Sequence, residues 1–158
     1  MDRYNQKFME KAIQLAKENV KSGKGGPFGA IVVKDGQIIA EAMNEVTPSN
    51  DPTAHAEIVA IRQACRDLKT YQLEGCEMYS SCEPCPMCLG AIYWARPDRV
   101  YYAGTRKDAA ASGFDDDFIY QEMELSPEKR EIPFINIMRN EALEAFKDWD
   151  ESELKIHY

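Results

Sequence analysis

The sequence has no apolar run approaching the roughly 20 residues needed to cross a bilayer, so nothing in it predicts a membrane span. The opening stretch, Met1 to Ser22, is charged and helix-patterned and lacks the apolar centre of a secretory signal. Together these absences predict a cytoplasmic protein with no membrane partner. Basic residues are also in deficit: 19 Lys and Arg stand against 27 Asp and Glu, for a formal net charge of −8. That balance argues against an enzyme that must track the phosphates of duplex DNA or tRNA. The last stretch, Glu141 to Tyr158, carries six acids against two lysines and would make a poor phosphate-binding tail. A small neutral substrate suits the charge better, and no nucleic acid partner is expected. No repeat, low-complexity tract or linker divides the chain, which predicts a single domain over 1–158, long enough to bury a core.

From about Asn5 to Lys21, the residues Phe8, Ala12, Leu15, Ala16 and Val20 recur at helical spacing. This predicts an amphipathic helix, ended by Ser22-Gly23-Lys24-Gly25-Gly26-Pro27. Phe28 to Lys34 reads as a buried strand, Asp35-Gly36 as a tight hairpin turn, and Gln37 to Met43 as the returning strand. After a loop over 45–52, Asp51-Pro52 reads as the N-cap and first turn of a helix running to about Leu68. A short strand at Glu77 to Ser80, a helix at Cys85 to Ala95 stopped by Arg96-Pro97, and a strand at Val100 to Ala103 follow. Beyond Gly104 the pattern gives a loop to Gly113, an aromatic segment from Phe114 to Tyr120, a strand-like run from Pro133 to Met138, and a final helix. This order predicts an α/β fold of three layers, with helices covering a central sheet.

Five cysteines are an odd number, and Cys82, Cys85 and Cys88 crowd together, which reads as metal binding rather than a disulfide framework. His55-Ala56-Glu57 stands thirty positions before Pro84-Cys85-Pro86-Met87-Cys88. Cys85 and Cys88, three apart at a helix start, present both sulfurs to one side. The helix N-terminus favours their thiolates, and His55 can supply a neutral imidazole. Three protein ligands leave the fourth tetrahedral position of Zn²⁺ to water, as in a catalytic site. Glu57, two residues beyond the histidine, can then shuttle protons. Two other readings compete. A closed structural site would recruit Cys82 as fourth ligand and leave Glu57 without a task. A redox pair at Cys85 and Cys88 lacks a thioredoxin-like strand order around it.

His-x-Glu followed by Pro-Cys-x-x-Cys marks the zinc nucleobase deaminases, and the chain resembles the cytidine deaminase superfamily. Within it, the chain is most similar to the small bacterial guanine deaminases. The likeness is carried by Gly25-Gly26-Pro27-Phe28-Gly29-Ala30, by the stretches Asn50 to Glu57 and Ser81 to Arg96, and by Ala111 to Tyr120 with its Gly-Phe-Asp-Asp segment. The resemblance implies a cytidine-deaminase-like three-layer sandwich with a central mixed sheet, and hydrolysis of guanine to xanthine and ammonia. It implies one Zn²⁺ per subunit on His55, Cys85 and Cys88, with Glu57 as proton shuttle. Phe28 would stack on the purine, Asn44 and Asp116 would meet its polar edge, and Tyr158 would close the pocket. The family's C-terminal segment crosses to a partner subunit, which implies a swapped homodimer. Taken singly, Phe28 also suits a core, Asn44 a turn, Asp116 a helix cap and Tyr158 a frayed end. Trp94 suits either packing or the pocket wall. A tRNA adenosine deaminase, another nucleobase or nucleoside deaminase, and a zinc-stabilised interaction module remain the alternatives.

Overall fold

A computed structural model describes residues 4–158, which form two compact units, one ending at Asp116 and the other running from Asp117 to Tyr158. In the first unit, helix α1 (Gln6–Ser22) precedes the hairpin β1 (Gly29–Lys34) and β2 (Gln37–Met43). A single turn, α2 (Val46–Ser49), leads to α3 (Ala56–Leu68), β3 (Cys76–Cys82), α4 (Pro86–Ala95), β4 (Arg99–Gly104) and α5 (Arg106–Ala111). The sheet order is β2-β1-β3-β4, antiparallel at the first two junctions and parallel between β3 and β4. The fold is therefore the expected α/β sandwich around a central mixed sheet. Among the described residues no helix is long and apolar enough to cross a membrane.

Strand β1 shows why the sheet needs helices on both faces. Its side chains alternate between two clusters. Ala30 and Val32 join Ala56, Ala60 and Ala64 of α3 and Ile92 of α4. Ile31 and Val33 join Ala12 and Leu15 of α1, together with Tyr79 of β3. A strand buried on both faces reads as a continuous apolar run, as Ala30 to Val33 does. Asp35 and Gly36 both have positive φ, 50° and 73°, the geometry of a two-residue hairpin turn whose twist matches the strands. Gly29 is needed for a different reason. A Cβ there would strike the Ala12 carbonyl and stand 2.8 Å from the Ala16 nitrogen, so α1 lies against β1 only because position 29 has no side chain.

The structure departs from the sequence expectations at five places. The helix expected from Asp51-Pro52 starts at Ala56, because the Asp51 carboxylate accepts from Thr53 N and Oγ1 at 2.8 and 2.7 Å and closes a side-chain turn instead of capping a helix. The loops over 45–52 and 104–113 contain α2 and α5, the latter held by a capping box in which Thr105 and Asp108 bond reciprocally. On α1 the buried stripe is Ala12, Leu15, Ala16 and Asn19, while Val20 is 54% exposed; a turn of one position carries a polar residue inward. Finally, Pro133 to Met138 is not a strand.

The second unit holds α6 (Asp117–Glu124), a 3₁₀ turn at Pro127–Lys129 and α7 (Arg139–Glu151), with an irregular segment over 130–138 between the last two. The apolar pattern at 133–138 has no strand in this unit to pair with, and an isolated strand leaves its backbone donors and acceptors unsatisfied. Arg130 Nε donates to the Glu122 carbonyl and its guanidinium lies over the Phe134 ring. None of the residues 117–158 is buried.

Candidate functional site

Two helix starts build the site. His55 is the N-cap of α3 and Cys85 the N-cap of α4, with Pro86 opening the helix and Cys88 two residues beyond it. Both caps have extended backbone, φ −67° and −66°, which turns each side chain out of its helix toward the other. His55 Nδ1 lies 3.5 Å from Cys85 Sγ and 3.5 Å from Cys88 Sγ. Tetrahedral zinc with nitrogen at about 2.0 Å and sulfur at about 2.3 Å requires N···S separations of about 3.5 Å, so the three atoms are spaced as that ion needs. Among the described residues, His55, Cys85 and Cys88 form the one group whose ligand atoms could share a metal ion, and they are positioned to chelate a single Zn²⁺. Cys82 is not part of the group. Its Sγ donates to the Thr105 carbonyl at 3.7 Å, and burial pushes the thiol up to about 11, the opposite of what a ligand requires. The closed four-ligand reading is thereby set aside.

The cluster's protons are unevenly shared. Hydrogen bonding from Cys88, and then from His55, holds the Cys85 thiol down at about 4, although burial opposes it. The same bond to Cys85, together with burial, pushes the Cys88 thiol up. His55 is raised, chiefly by its hydrogen bond with Cys85. A bound divalent cation favours both thiolates, so the donor chemistry as well as the spacing fits zinc.

Glu57 is 5% exposed in the first turn of α3, and burial pushes its carboxyl above the usual range. Its Oε1 accepts from Ser80 Oγ at 3.1 Å, and its Oε2 faces Cys88 Sγ at 3.6 Å. A cavity of about 650 Å³ opens beside this group, within the size range of small-molecule sites. Its lining includes His55, Glu57, Cys85, Phe28, Asn44 and Asp116. The structure thus gathers six residues singled out in the sequence around one space. Phe28 is half-buried, and Asn44 accepts Val46 N on its side-chain oxygen. Asp116 is raised by burial. Trp94 is not in the lining. It stands on α4 six residues past Cys88, roughly 9 Å further along the helix axis, and is 63% exposed. Tyr158, in the second unit, is also exposed.

Three residues at the site were not singled out from sequence. Phe114 lines the cavity and meets Phe28 edge-on, with ring centroids 4.9 Å apart; its place in the Gly-Phe-Asp-Asp segment was the available signal. Ser80, a hydroxyl on the buried face of an apolar strand, was visible only once the face of β3 was known. Asn19 donates from Nδ2 to the carbonyls of Gly26 and Asn44 at 2.8 and 2.9 Å and braces the wall on which Asn44 sits. Its position seven residues after Ala12, within the apolar stripe, could have marked it.

Residues 2–104 match the cytidine and deoxycytidylate deaminase zinc-binding region. The guanine deaminase of Bacillus subtilis is 57% identical over 151 residues, covering 96% of this chain and 97% of that protein. A crystal structure of guanine deaminase from the same organism superposes with a TM-score of 0.96 and 55% identity over 99% of both chains. A tRNA-specific adenosine deaminase of Aquifex aeolicus is 46% identical over 100 residues, which cover 63% of this chain and 66% of that protein. With the zinc-binding region matched over most of the chain and the ligand triad assembled at two helix starts, the chain belongs to the cytidine and deoxycytidylate deaminase family.

Proposed function

We propose that the protein is a zinc-dependent aminohydrolase that converts guanine and water to xanthine and ammonia. The observation that carries this is the extent of the likeness to the Bacillus subtilis guanine deaminase, which runs through 96% of the chain and so includes the residues after 104 that lie beyond the zinc-binding region. A zinc ion on His55, Cys85 and Cys88 supplies Lewis acidity, bringing the ionisation of water toward neutral pH. Glu57 moves the protons. Its Oε2 takes one proton from the attacking water and delivers it to the ring nitrogen beside C2; it then takes the second from the new C2 hydroxyl and delivers it to the amino group, so that C2=O forms as the C2–N bond breaks and ammonia leaves. Phe28 takes the purine face, with Phe114 holding the Phe28 ring edge-on, and Asn44 and Asp116 meet the polar edge.

The protein acts as a homodimer in which the C-terminal unit of one subunit completes the other's cavity, with Tyr158 closing it. Supporting this, Phe118, Ile135, Ile137, Phe146 and Leu154 are all more than half exposed, an amount of apolar surface that calls for a partner. That none of the five cysteines is in a disulfide suits a reducing, cytoplasmic location. The similarity to the Aquifex tRNA enzyme supports a second reading, adenosine deamination in tRNA, which the charge of −8 disfavours.

Ammonia release from guanine, adenine, cytosine and their nucleosides, run beside inosine formation in tRNA, tests the substrate. Guanine is expected to react fastest; inosine in tRNA without ammonia from guanine would overturn the proposal. Glu57→Gln should keep its zinc and lose turnover. Mixing that variant with a chain lacking Tyr158 should restore activity if the cavity is shared between subunits.

A further inference from the structure

Ser80 carries a hydroxyl whose place in the core has no packing explanation. It lies on β3, opposite Ala30 on β1 and Tyr102 on β4, and is 2% exposed. The cluster on that side of the sheet is apolar, and it uses alanine at positions 30, 40, 56, 60 and 64 where small side chains are needed. A hydroxyl shut away from water is unfavourable unless it is bonded. Ser80 Oγ has one such partner, Glu57 Oε1, at 3.1 Å.

The bond spans 23 residues and links the centre of the sheet to the first turn of α3. The terminal torsion of a glutamate is broad and roughly two-fold; the carboxylate is bonded by its own backbone N–H, and Ser80 supplies the hydroxyl that reaches Oε1. With Oε1 tied to β3, Oε2 is turned toward Cys88, where it meets Sγ at 3.6 Å. We infer that Ser80 is a positioning residue for Glu57, fixing the rotation of its carboxylate so that one oxygen stays turned toward the metal ligands. The inference rests on Glu57 being the proton carrier of the proposed reaction. Ser80 touches neither substrate nor metal and acts only through that carboxylate.

The test uses guanine as substrate and the zinc-loaded full-length enzyme. Ser80→Ala is expected to keep its zinc, while losing a bond to a buried acceptor lowers its melting temperature by several degrees. A hydrogen bond to a charged group is lost, so kcat should fall about ten- to a hundredfold, while KM, which reports the base-binding walls, changes less than about twofold. Ser80→Thr, which keeps the hydroxyl on Cβ, should recover part of the loss. The decisive comparison is a double-mutant cycle with Glu57→Asp, whose shorter side chain withdraws the carboxylate from Ser80. In that background Ser80→Ala should have almost no further effect on kcat. A zinc-loaded Ser80→Ala enzyme with kcat within about twofold of the parent would overturn the inference, since the bond's value predicts far more. So would a loss of equal size in the Glu57→Asp background, whether or not Ser80→Ala also lowers the melting temperature. Glu57→Gln run alongside separates the two levels. If it stays active, the proton-carrier role fails; if it is dead while Ser80→Ala is normal, only the positioning role fails.

Discussion

Replacing Asn19 by alanine should damage both stability and substrate binding, by amounts that follow from its two hydrogen bonds. Its side chain is 2% exposed and donates to the carbonyls of Gly26 and Asn44. The Gly26 bond is only partly buried, so water can replace the donor at a cost of about 1 kcal/mol. The Asn44 bond is buried, and its carbonyl loses a partner that water cannot easily replace, which costs about 1–3 kcal/mol. The sum is about 2–4 kcal/mol, and for a chain of this size it corresponds to a fall in Tm of about 5–15 °C. Both carbonyls belong to walls of the cavity, so KM for guanine should rise more than kcat falls. Differential scanning calorimetry and steady-state kinetics on the zinc-loaded enzyme measure the two effects. Asn19→Asp sharpens the test, because it keeps the shape but places a carboxylate against two carbonyls. Burial and that repulsion raise the new group's folded pKa above its unfolded value. The penalty is therefore full at neutral pH and shrinks as pH falls through the folded pKa, where a protonated oxygen can donate again. A melting temperature for Asn19→Ala within about 2 °C of the parent, with KM unchanged, would refute the brace, because even the weaker of the two bonds should cost more.

Gly29→Ala should lower stability by about 1–3 kcal/mol or prevent folding, since its Cβ meets backbone of α1 that cannot yield; a soluble variant with parental Tm would show that α1 can shift freely. Cys88→Ser should lose zinc on dialysis, whereas Cys82→Ser, altering a thiol that bonds the Thr105 carbonyl outside the metal triad, should retain about one ion per chain by elemental analysis. Equal loss in both would restore a four-ligand site. The Asp108 carboxyl is held below its ordinary value by hydrogen bonds from the Thr105 hydroxyl and then the Thr105 backbone. Its support of α5 is thus present at neutral pH and disappears as pH falls through that lowered value. Protection factors of the α5 amides, corrected for the intrinsic pH dependence of exchange, should fall with acid in the parent but not in Asp108→Ala, and identical profiles would disprove the linkage.

The local parts of this protein were written plainly in its chain. The spacing of Cys85 and Cys88, the apolar run of β1, the Asp35-Gly36 turn and the proline after Cys85 each act within a few residues, so periodicity and turn chemistry expose them. The metal triad was legible for the same reason, although His55 and the cysteines come from separate helices; ligand chemistry restricts residue types so strongly that a short motif suffices. Asp51 shows where local signals fail. A side-chain turn with Thr53 and a helix cap use the same oxygen, and only the tertiary path of the chain into α3 chose between them.

What the tertiary structure alone decided is which polar groups face inward and what they touch. Asn19 and Val20 are neighbours on one helix, and a small rotation of α1 against β1 buries the first and exposes the second. Ser80 and Glu57 lie 23 residues apart, and Asn19 and Asn44 lie 25 apart. Neither pairing leaves a periodic trace, because each depends on the register of β3 or the packing of α1. The exposed apolar side chains of 117–158 likewise cannot be told from a buried strand by pattern, since alternation records apolarity and not the partner that covers it. Sequence therefore determined the metal chemistry, which residue type and short spacing are enough to specify. Structure determined how Glu57 is oriented and which residues line the cavity beside it, which depend on distances between segments that only the folded chain brings together.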